Sequence, residues 1–253
     1  MKHLSFPILS LTLLLSACAK NYVLTDVSGS RILIDSKFDA REDKHVTNFM
    51  KRYKQRVDSV SNPVVGQSAR RMTRDRPESE LSNLISDIMV WGANELLNQQ
   101  TDFGVYNMGG LRASLPEGKV TYGDVVEIVP FENKLCVLTL SGEKVLQLFG
   151  EMAHRGGECV SHGVELVITR DGKLKNALIH GKPVDISKNY RIATVDYVAQ
   201  GNDGMNAFKS KTNYIASQEF ELNSRFVVMA YFRKLAAQGK TVDAKLEKRI
   251  KIE

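Results

Sequence analysis

Helical and strand-like segments alternate irregularly along this chain, and this alternation limits its fold class more than any other feature. In residues 39–60 and 81–96, apolar residues recur at steps of three and four, which is typical of amphipathic helices. Short apolar runs such as 103–107 and 134–140 instead indicate buried strands. Two strand-like runs flank Asp171-Gly172, a dipeptide that favours a tight hairpin turn. We therefore predict a mixed α/β (α+β) fold with mixed sheets flanked by helices, not a doubly wound parallel sheet.

Three further segments are assigned by the same patterns. Two apolar runs within residues 21–38, on either side of Ser28-Gly29-Ser30, predict a small hairpin. Residues 189–199 (NYRIATVDYVA) are typical of a strand, and residues 219–237 are typical of a long helix.

The N-terminal residues are predicted to be a targeting segment. Lys2 precedes an apolar run that is too short to span a membrane, which is typical of a secretory signal. The run ends in LSAC, which resembles a bacterial lipobox, whereas an ordinary cleavable signal with an incidental cysteine is the alternative. We predict a lipoprotein signal peptide at 1–17, lipidation at Cys18, an anchor-proximal segment at 18–38 and one domain at 39–253. The expected location is the bacterial cell envelope, lipid-anchored and facing the periplasm or the surface.

Composition sets only broad limits on function. Hydrophobic residues make up 43% and charged residues 25% of the chain, which are ordinary globular values. The formal charge of +6 is spread along the sequence and forms no basic stripe with interleaved aromatics, so we expect no nucleic-acid partner. The same charge suits small anions. Cys136 and Cys159 are compatible with either a disulfide or two small core residues.

Three loops next to predicted strands carry the side chains best suited to a ligand. They are NMGGLR, PFEN and DYVAQGNDG. The glycines of the first loop allow positive φ or a close approach of the backbone to another group. Arg112 offers a planar fork of donors suited to oxygens or a flat ring, although a solvated arginine on a tight turn is the simpler interpretation of this loop alone.

Taken together, the loops offer two aromatic faces and several polar groups. Phe131 and Tyr197 can enclose a flat ring, because stacking an aromatic side chain on a base contributes about 1–3 kcal/mol. Asp203 can accept hydrogen bonds from sugar hydroxyls, and Asn107 has both a donor and an acceptor. Such groups form a site only if the loops converge on a rigid scaffold.

The ordered motifs N-x-GG-x-R, PF-x-N and Y-R-I-A-T…G-x-D-G resemble the C-terminal domain of the 5′-nucleotidase family. The segment ESELSNLISDIM also resembles a helix of that family, and the similarity extends over residues 39–253. The resemblance implies the layered fold of that domain, with mixed sheets and flanking helices. One departure is Asn202, where the family commonly has glycine; asparagine tolerates positive φ better than most residues.

The resemblance also implies a role for each loop residue in holding a nucleoside. Phe131 and Tyr197 would clamp the base, and Asp203 would bind the ribose hydroxyls. Asn107 would contact the base or the sugar, and Arg112 would help to hold the acidic part of the ligand. Two further residues, Asn133 and Gly201, would complete their loops, and an additional family arginine ahead of the helix would be matched by Arg74 or Arg76.

Metal-ligand motifs of the family's separate metallophosphatase domain have no ordered counterpart here. That domain needs D-x-H, G-D-x-x-D, G-N-H-E and G-H-x-H to build a two-metal site. DKH at 43–45 matches the first motif alone, on a charged helix. His154, Cys159 and His162 have loosely metal-like spacing but no evident fourth ligand. We therefore expect no cofactor in this chain, and divalent metals only on a partner metallophosphatase.

Three functional hypotheses follow. The first is the nucleoside- or nucleotide-recognising half of a 5′-nucleotidase, non-catalytic by itself, which takes part in phosphomonoester hydrolysis with a separate metallophosphatase subunit. The second is a nucleotide- or nucleoside-binding lipoprotein for scavenging without catalysis. The third is a structural surface lipoprotein whose pocket has decayed. The expected partners are a nucleoside or nucleoside monophosphate, a metallophosphatase subunit under the first hypothesis, and the membrane through the lipid anchor.

Overall fold

The computed structural model describes residues 24–41 and 43–253. Two units are distinguished, one ending at Met50 and the other comprising Lys51–Glu253. Among the described residues, no helix combines the length and apolar character that a membrane crossing requires. The predicted signal peptide and the predicted lipidation site at Cys18 lie outside the described residues.

Helices and strands alternate irregularly, as the sequence predicts. The helices are α1 (Lys44–Ser61), α2 (Glu80–Leu96), α3 (Tyr122–Ile128), α4 (Gly142–His154), α5 (Asp196–Ala199) and α6 (Ser224–Ala237). The strands are β1 (Val64–Ser68), β2 (Phe103–Tyr106), β3 (Gly118–Thr121), β4 (Leu135–Ser141), β5 (Cys159–Val160), β6 (Val164–Ile168), β7 (Leu174–Ile179), β8 (Lys182–Pro183), β9 (Asn189–Val195), β10 (Thr212–Ala216) and β11 (Ile250–Ile252). Short 3₁₀ turns occupy Ser36–Arg41, Met108–Gly110, Asn206–Ser210 and Phe220–Leu222.

The larger unit is built on a five-stranded mixed sheet with the order β10-β4-β9-β2-β5. Strand β4 runs antiparallel to β10 and β9, whereas β2 runs parallel to β9. A second sheet has the order β11-β6-β7-β8 and contains the predicted hairpin β6–β7. Strands β1 and β3 form a separate antiparallel pair. The mixed α/β fold class is therefore confirmed.

Helix α2 packs against the five-stranded sheet and begins at a well-defined cap. The Ser79 side chain accepts a hydrogen bond from the Ser82 amide, and the Ser82 side chain accepts one from the Ser79 amide, which forms a capping box. Leu84 and Ile88 are buried, and burying each such side chain contributes about 1.5–3 kcal/mol. The buried face ends earlier than the periodicity predicts, because Leu96 is exposed.

Three predicted elements are wrong in part. Residues 24–35 contain no strand, so the predicted hairpin does not form there; a hairpin without a third strand or a helix to cover it is marginal in water. The strand predicted for 189–199 ends at Val195, since the Asp196 carboxylate accepts the Tyr197 amide proton at the start of α5. The last helix begins at Ser224 because a 3₁₀ turn precedes it.

The two strand cysteines do not pair. Cys136 lies on β4 and Cys159 on β5, and β9 and β2 lie between these strands. Burial raises the pKa of both thiols, so they remain protonated at neutral pH. Both cysteines are core residues, which settles the alternative between a disulfide and small core side chains.

Candidate ligand-binding site

The three ligand-suited loops meet at one edge of the five-stranded sheet. Strands β2 and β9 are parallel neighbours, so the loops that follow them leave the same edge. Strand β4 runs antiparallel to β9, with Leu135 opposite Val195, so the loop that precedes β4 starts from that edge too. Sheet topology thus brings together segments that are far apart in sequence.

A cavity of about 260 Å³ lies between these loops. It is lined by Asn107, Gly109, Arg112, Phe131, Asn133, Tyr197 and Asp203. Phe131 is 44% exposed and Tyr197 is 38% exposed, so both rings offer surface that a ligand can cover. Every lining residue except Gly109 was predicted as a site residue from the sequence.

Three other predicted residues lie outside this lining. Gly201 has φ +86° and shapes the loop that leads to Asp203. Arg74 Nη1 donates to the Met108 carbonyl at 3.3 Å, and Arg76 Nη2 donates to a carboxylate oxygen of Glu158 at 2.7 Å. Arg74 therefore contacts the first loop directly, whereas Arg76 binds a buried side chain behind it.

Of the two glycines of the first loop, Gly110 serves close packing. Met108–Gly110 is a 3₁₀ turn, and neither of its glycines has a positive φ, so that part of the expectation is wrong. A Cβ atom on Gly110 would lie 2.6 Å from Tyr106 Cε1 and 2.7 Å from Asn107 Oδ1, closer than real Cβ contacts. The expected close approach of the backbone is therefore confirmed, and it holds Gly110 against the residues on which the site is built.

Asp203 is at the centre of the polar side of the cavity. One of its carboxylate oxygens accepts a 2.6 Å hydrogen bond from Asn107 Nδ2, and the other accepts a 3.5 Å bond from the Tyr197 hydroxyl. Asn107 is buried, and this bond fixes its amide with the NH₂ group towards the carboxylate. Two of the predicted ligand-binding groups are thus already oriented by each other.

Asn202 has a different role from the one expected. The positive φ angles of this loop occur at Gly201 and Asp203, where φ is +86° and +53°, and not at Asn202. The Asn202 side chain instead donates a 2.8 Å hydrogen bond to the Tyr197 carbonyl. It therefore ties the loop to α5, which carries the Tyr197 ring.

Two hydrogen bonds from α6 to backbone carbonyls hold the PFEN loop. The Ser224 amide donates to the Asn133 carbonyl at 2.8 Å, and Arg225 Nη2 donates to the Pro130 carbonyl at 2.8 Å. The Phe131 ring is left at the cavity, with the Arg112 guanidinium carbon 6.0 Å from the ring centroid. This distance is within the range of a cation–π contact.

A buried carboxylate behind the first loop was missed by sequence reasoning. The Glu158 side chain is 0% exposed and accepts hydrogen bonds from Arg76 Nη2 and Arg155 Nε, each at 2.7 Å. It also accepts one from the Met108 amide at 2.5 Å. The hydrogen bond to Glu158 raises the pKa of Arg155, which stays charged. Glutamate is ordinarily exposed, so no local pattern marked this residue.

Residues 56–210, more than half of the chain, match the family model described as 5′-nucleotidase, C-terminal domain. The chain belongs to this family. It is similar to a 5′-nucleotidase of Vibrio vulnificus, with 25% identity over 88% of this chain and 39% of that protein. It is also similar to the silent protein UshA(0) of Salmonella typhimurium, with 30% identity over 60% of this chain and 27% of that protein.

A solved structure of a 5′-nucleotidase precursor from Thermus thermophilus shares the fold. Its TM-score is 0.71 at 26% identity, over 83% of this chain and 43% of that one. The chain therefore spans less than half the length of each of these relatives. What the family comparison establishes is a 5′-nucleotidase C-terminal domain.

The acidic, histidine and cysteine residues of this C-terminal domain do not form a metal site in the described part of the chain. No group of three or more such side chains there is close enough to hold a metal ion. Of the set with metal-like spacing, Cys159 is buried in β5, and the His162 ring nitrogen lies 2.8 Å from a Glu247 carboxylate oxygen. The described residues therefore do not fit a two-metal phosphatase centre.

Proposed function

We propose that this domain binds nucleosides or nucleoside 5′-monophosphates and acts as the substrate-recognising half of a 5′-nucleotidase. The observation that carries the proposal is the cavity, where two half-exposed aromatic rings meet a carboxylate, an amide and a guanidinium. Membership of the 5′-nucleotidase C-terminal family supports the same assignment.

The aromatic residues of the cavity are suited to the base. Phe131 comes from the PFEN loop and Tyr197 from α5, and both line the same space, so a planar ring can lie against both. Covering their exposed faces removes apolar surface from water and adds stacking, which contributes about 1–3 kcal/mol per base. This contact tolerates any base, so affinity from the rings carries little base specificity.

The polar residues are suited to the sugar and to an acidic group. Asp203 retains acceptor capacity beyond its bond from Asn107, because an ionised carboxylate has about four acceptor positions. A ribose diol can donate to these positions. Arg112 is exposed at the cavity and offers a fork of donors that matches a phosphate or carboxylate. Arg74, beside the Met108 carbonyl, is the nearer of the two predicted arginines to this loop.

Hydrolysis, in this proposal, requires metal ligands other than those of the described residues. A metallophosphatase subunit or domain would supply the two metals, and this domain would hold the nucleoside part of the same substrate. We further propose that the protein acts in the cell envelope, attached by lipid at Cys18, because LSAC closes an apolar leader. Metabolic labelling with a radioactive fatty acid tests this point, and a Cys18→Ser variant should lose the label.

Calorimetric titration of the purified protein with adenosine and AMP tests the binding function. We expect dissociation constants between the micromolar and millimolar ranges, and no comparable heat with ribose 5-phosphate, which lacks a base. Flat heats with every nucleoside and nucleotide would contradict the proposal. Phosphate release from AMP by the pure protein with added Mn²⁺ would contradict the proposal that hydrolysis requires a separate metallophosphatase.

Purification from native membranes separates the split-enzyme proposal from nucleoside capture. A metallophosphatase that co-purifies, and whose AMP hydrolysis depends on added protein of this sequence, supports the split enzyme. Nucleoside binding without any such partner supports the scavenging alternative.

A further inference from the structure

The buried Glu158 carboxylate joins three segments of the chain directly behind the first binding loop. Arg76 precedes α2, Met108 follows β2, and Arg155 follows α4. One carboxylate oxygen accepts from both guanidiniums, and the other accepts from the Met108 amide. We propose that Glu158 is a positioning residue that fixes the nucleotide-binding loop and the two arginines beside it.

Because it is buried, the hydrogen bond between Glu158 and the Met108 amide restricts movement of the first loop. A carboxylate that is 0% exposed must keep its donors, since an unpaired charge in the interior is strongly disfavoured. The Met108 amide is buried as well and needs an acceptor. Moving the loop would therefore break a charged hydrogen bond and leave the Met108 amide and Glu158 Oε2 without each other, although the two guanidiniums would still pair with Oε1.

The restraint passes to the ligand-binding groups through one peptide bond. Met108 directly follows Asn107, whose side chain holds Asp203 at 2.6 Å. Arg155 lies beside Gly204, the residue that follows Asp203, with its Cδ atom 3.8 Å from the position that a Cβ on Gly204 would take. Glu158 opposes two guanidiniums, so the network also keeps a net positive charge next to the Asp203 loop.

The choice of AMP as the ligand rests on the proposed function. The first readout, the exchange rate of the Met108 amide, needs no ligand. Glu158→Gln keeps the shape of the side chain but removes its charge and turns an acceptor into a donor. We expect the Met108 amide to exchange with deuterated solvent at least about tenfold faster in this variant, measured by NMR. Glu165→Gln, at an exposed position of β6, is the matched control and should leave Met108 unchanged.

The second readout is AMP affinity. We expect Glu158→Gln to raise the dissociation constant about tenfold, the size expected for losing a hydrogen bond to a charged group. Glu158→Asp restores the charge on a shorter side chain and should recover part of the affinity. The inference would be overturned if the Met108 amide of Glu158→Gln exchanges at the wild-type rate and the variant binds AMP within about twofold of the wild-type affinity.

Arg155→Gln keeps the test decisive if Glu158→Gln does not fold. About one third of the Arg155 side chain is exposed, so its loss is easier to tolerate. We expect this variant to raise the AMP dissociation constant at least threefold and to speed Met108 exchange, whereas unchanged values for both would overturn the inference. If the wild-type protein binds neither adenosine nor AMP, the proposed function fails, and Met108 exchange alone decides the positioning role.

Discussion

The cavity has two sides that are built in contrasting ways. On the polar side, Asn107 and Asp203 are hydrogen-bonded to each other, and Glu158 fixes the loop behind them. On the aromatic side, Phe131 and Tyr197 remain 44% and 38% exposed, and hydrogen bonds to backbone carbonyls hold the segments that carry them. The polar side is thus organised before a ligand arrives, whereas the rings keep surface for the ligand to cover.

This contrast follows from what each kind of group needs. A buried polar group without a partner costs about 1–3 kcal/mol, so it must be satisfied within the protein itself. An aromatic ring can stay half exposed at little cost. Substitutions on the polar side should therefore lower both stability and affinity, whereas substitutions on the aromatic side should lower affinity alone.

The largest effect is expected for Asp203→Ala. The variant removes a carboxylate that can accept hydrogen bonds from the ligand, which should lower the affinity for adenosine by about 1.5–3 kcal/mol. It also leaves Asn107 Nδ2 buried without its acceptor, so the free energy of unfolding should fall by about 1–3 kcal/mol. Calorimetry measures the first effect and urea denaturation the second. Weaker binding with an unchanged urea midpoint would contradict the contrast between the two sides, because the Asn107–Asp203 hydrogen bond would then contribute nothing to the stability of the fold.

Phe131→Ala should lower affinity and leave stability almost unchanged. Loss of one stacking face should cost about 1–3 kcal/mol of adenosine binding. The free energy of unfolding should change by less than about 0.5 kcal/mol, as for other exposed positions. Phe220→Ala is the matched control, since that ring is exposed but does not line the cavity. If Phe131→Ala unfolds more easily but binds adenosine normally, the ring contributes to stability and not to affinity, which is the opposite of what we expect.

Arg112→Gln should distinguish ligands with a phosphate from those without one. The guanidinium is exposed, so we expect a loss of about 1 kcal/mol in AMP binding and a smaller change for adenosine. The AMP affinity of the wild-type protein should also fall more steeply with added salt than that of the variant. Arg71→Gln, exposed and outside the lining, serves as the control. Equal losses for the two ligands would instead place Arg112 with the Phe131 ring in base binding.

Much of the fold was predictable because local periodicity and local packing agree. Helix α2 and the hairpin β6–β7 form where their patterns indicate. Periodicity alone does not say what covers a helix: α1 has the same kind of apolar spacing as α2, yet its Val57 and Val60 are more than half exposed. Residues 24–35 show the same limit for strands, because their apolar runs form no strand.

The site was predictable to the extent that its residues lie in short motifs. Phe131, Tyr197 and Asp203 lie in short sequence motifs whose composition suits a ligand, and the cavity includes all three. Glu158 was not predictable, because its role depends on donors from three distant segments. The packing of Gly110 against Tyr106 depends on tertiary structure in the same way.

Asn202→Gly is the smallest expected change and tests the loop that joins the two sides. The family motif commonly has glycine there, but Asn202 has no positive φ that glycine would relieve. The variant loses the hydrogen bond to the Tyr197 carbonyl, and glycine adds freedom to the unfolded chain. We therefore expect a loss of about 0.5–1 kcal/mol in the free energy of unfolding, with adenosine affinity within about twofold, while Asn202→Ala separates the lost bond from the glycine effect. A glycine variant that is more stable than the wild-type protein would mean that asparagine strains this loop. The position of the Tyr197 ring would then depend on its contact with Asp203 and not on the Asn202 hydrogen bond.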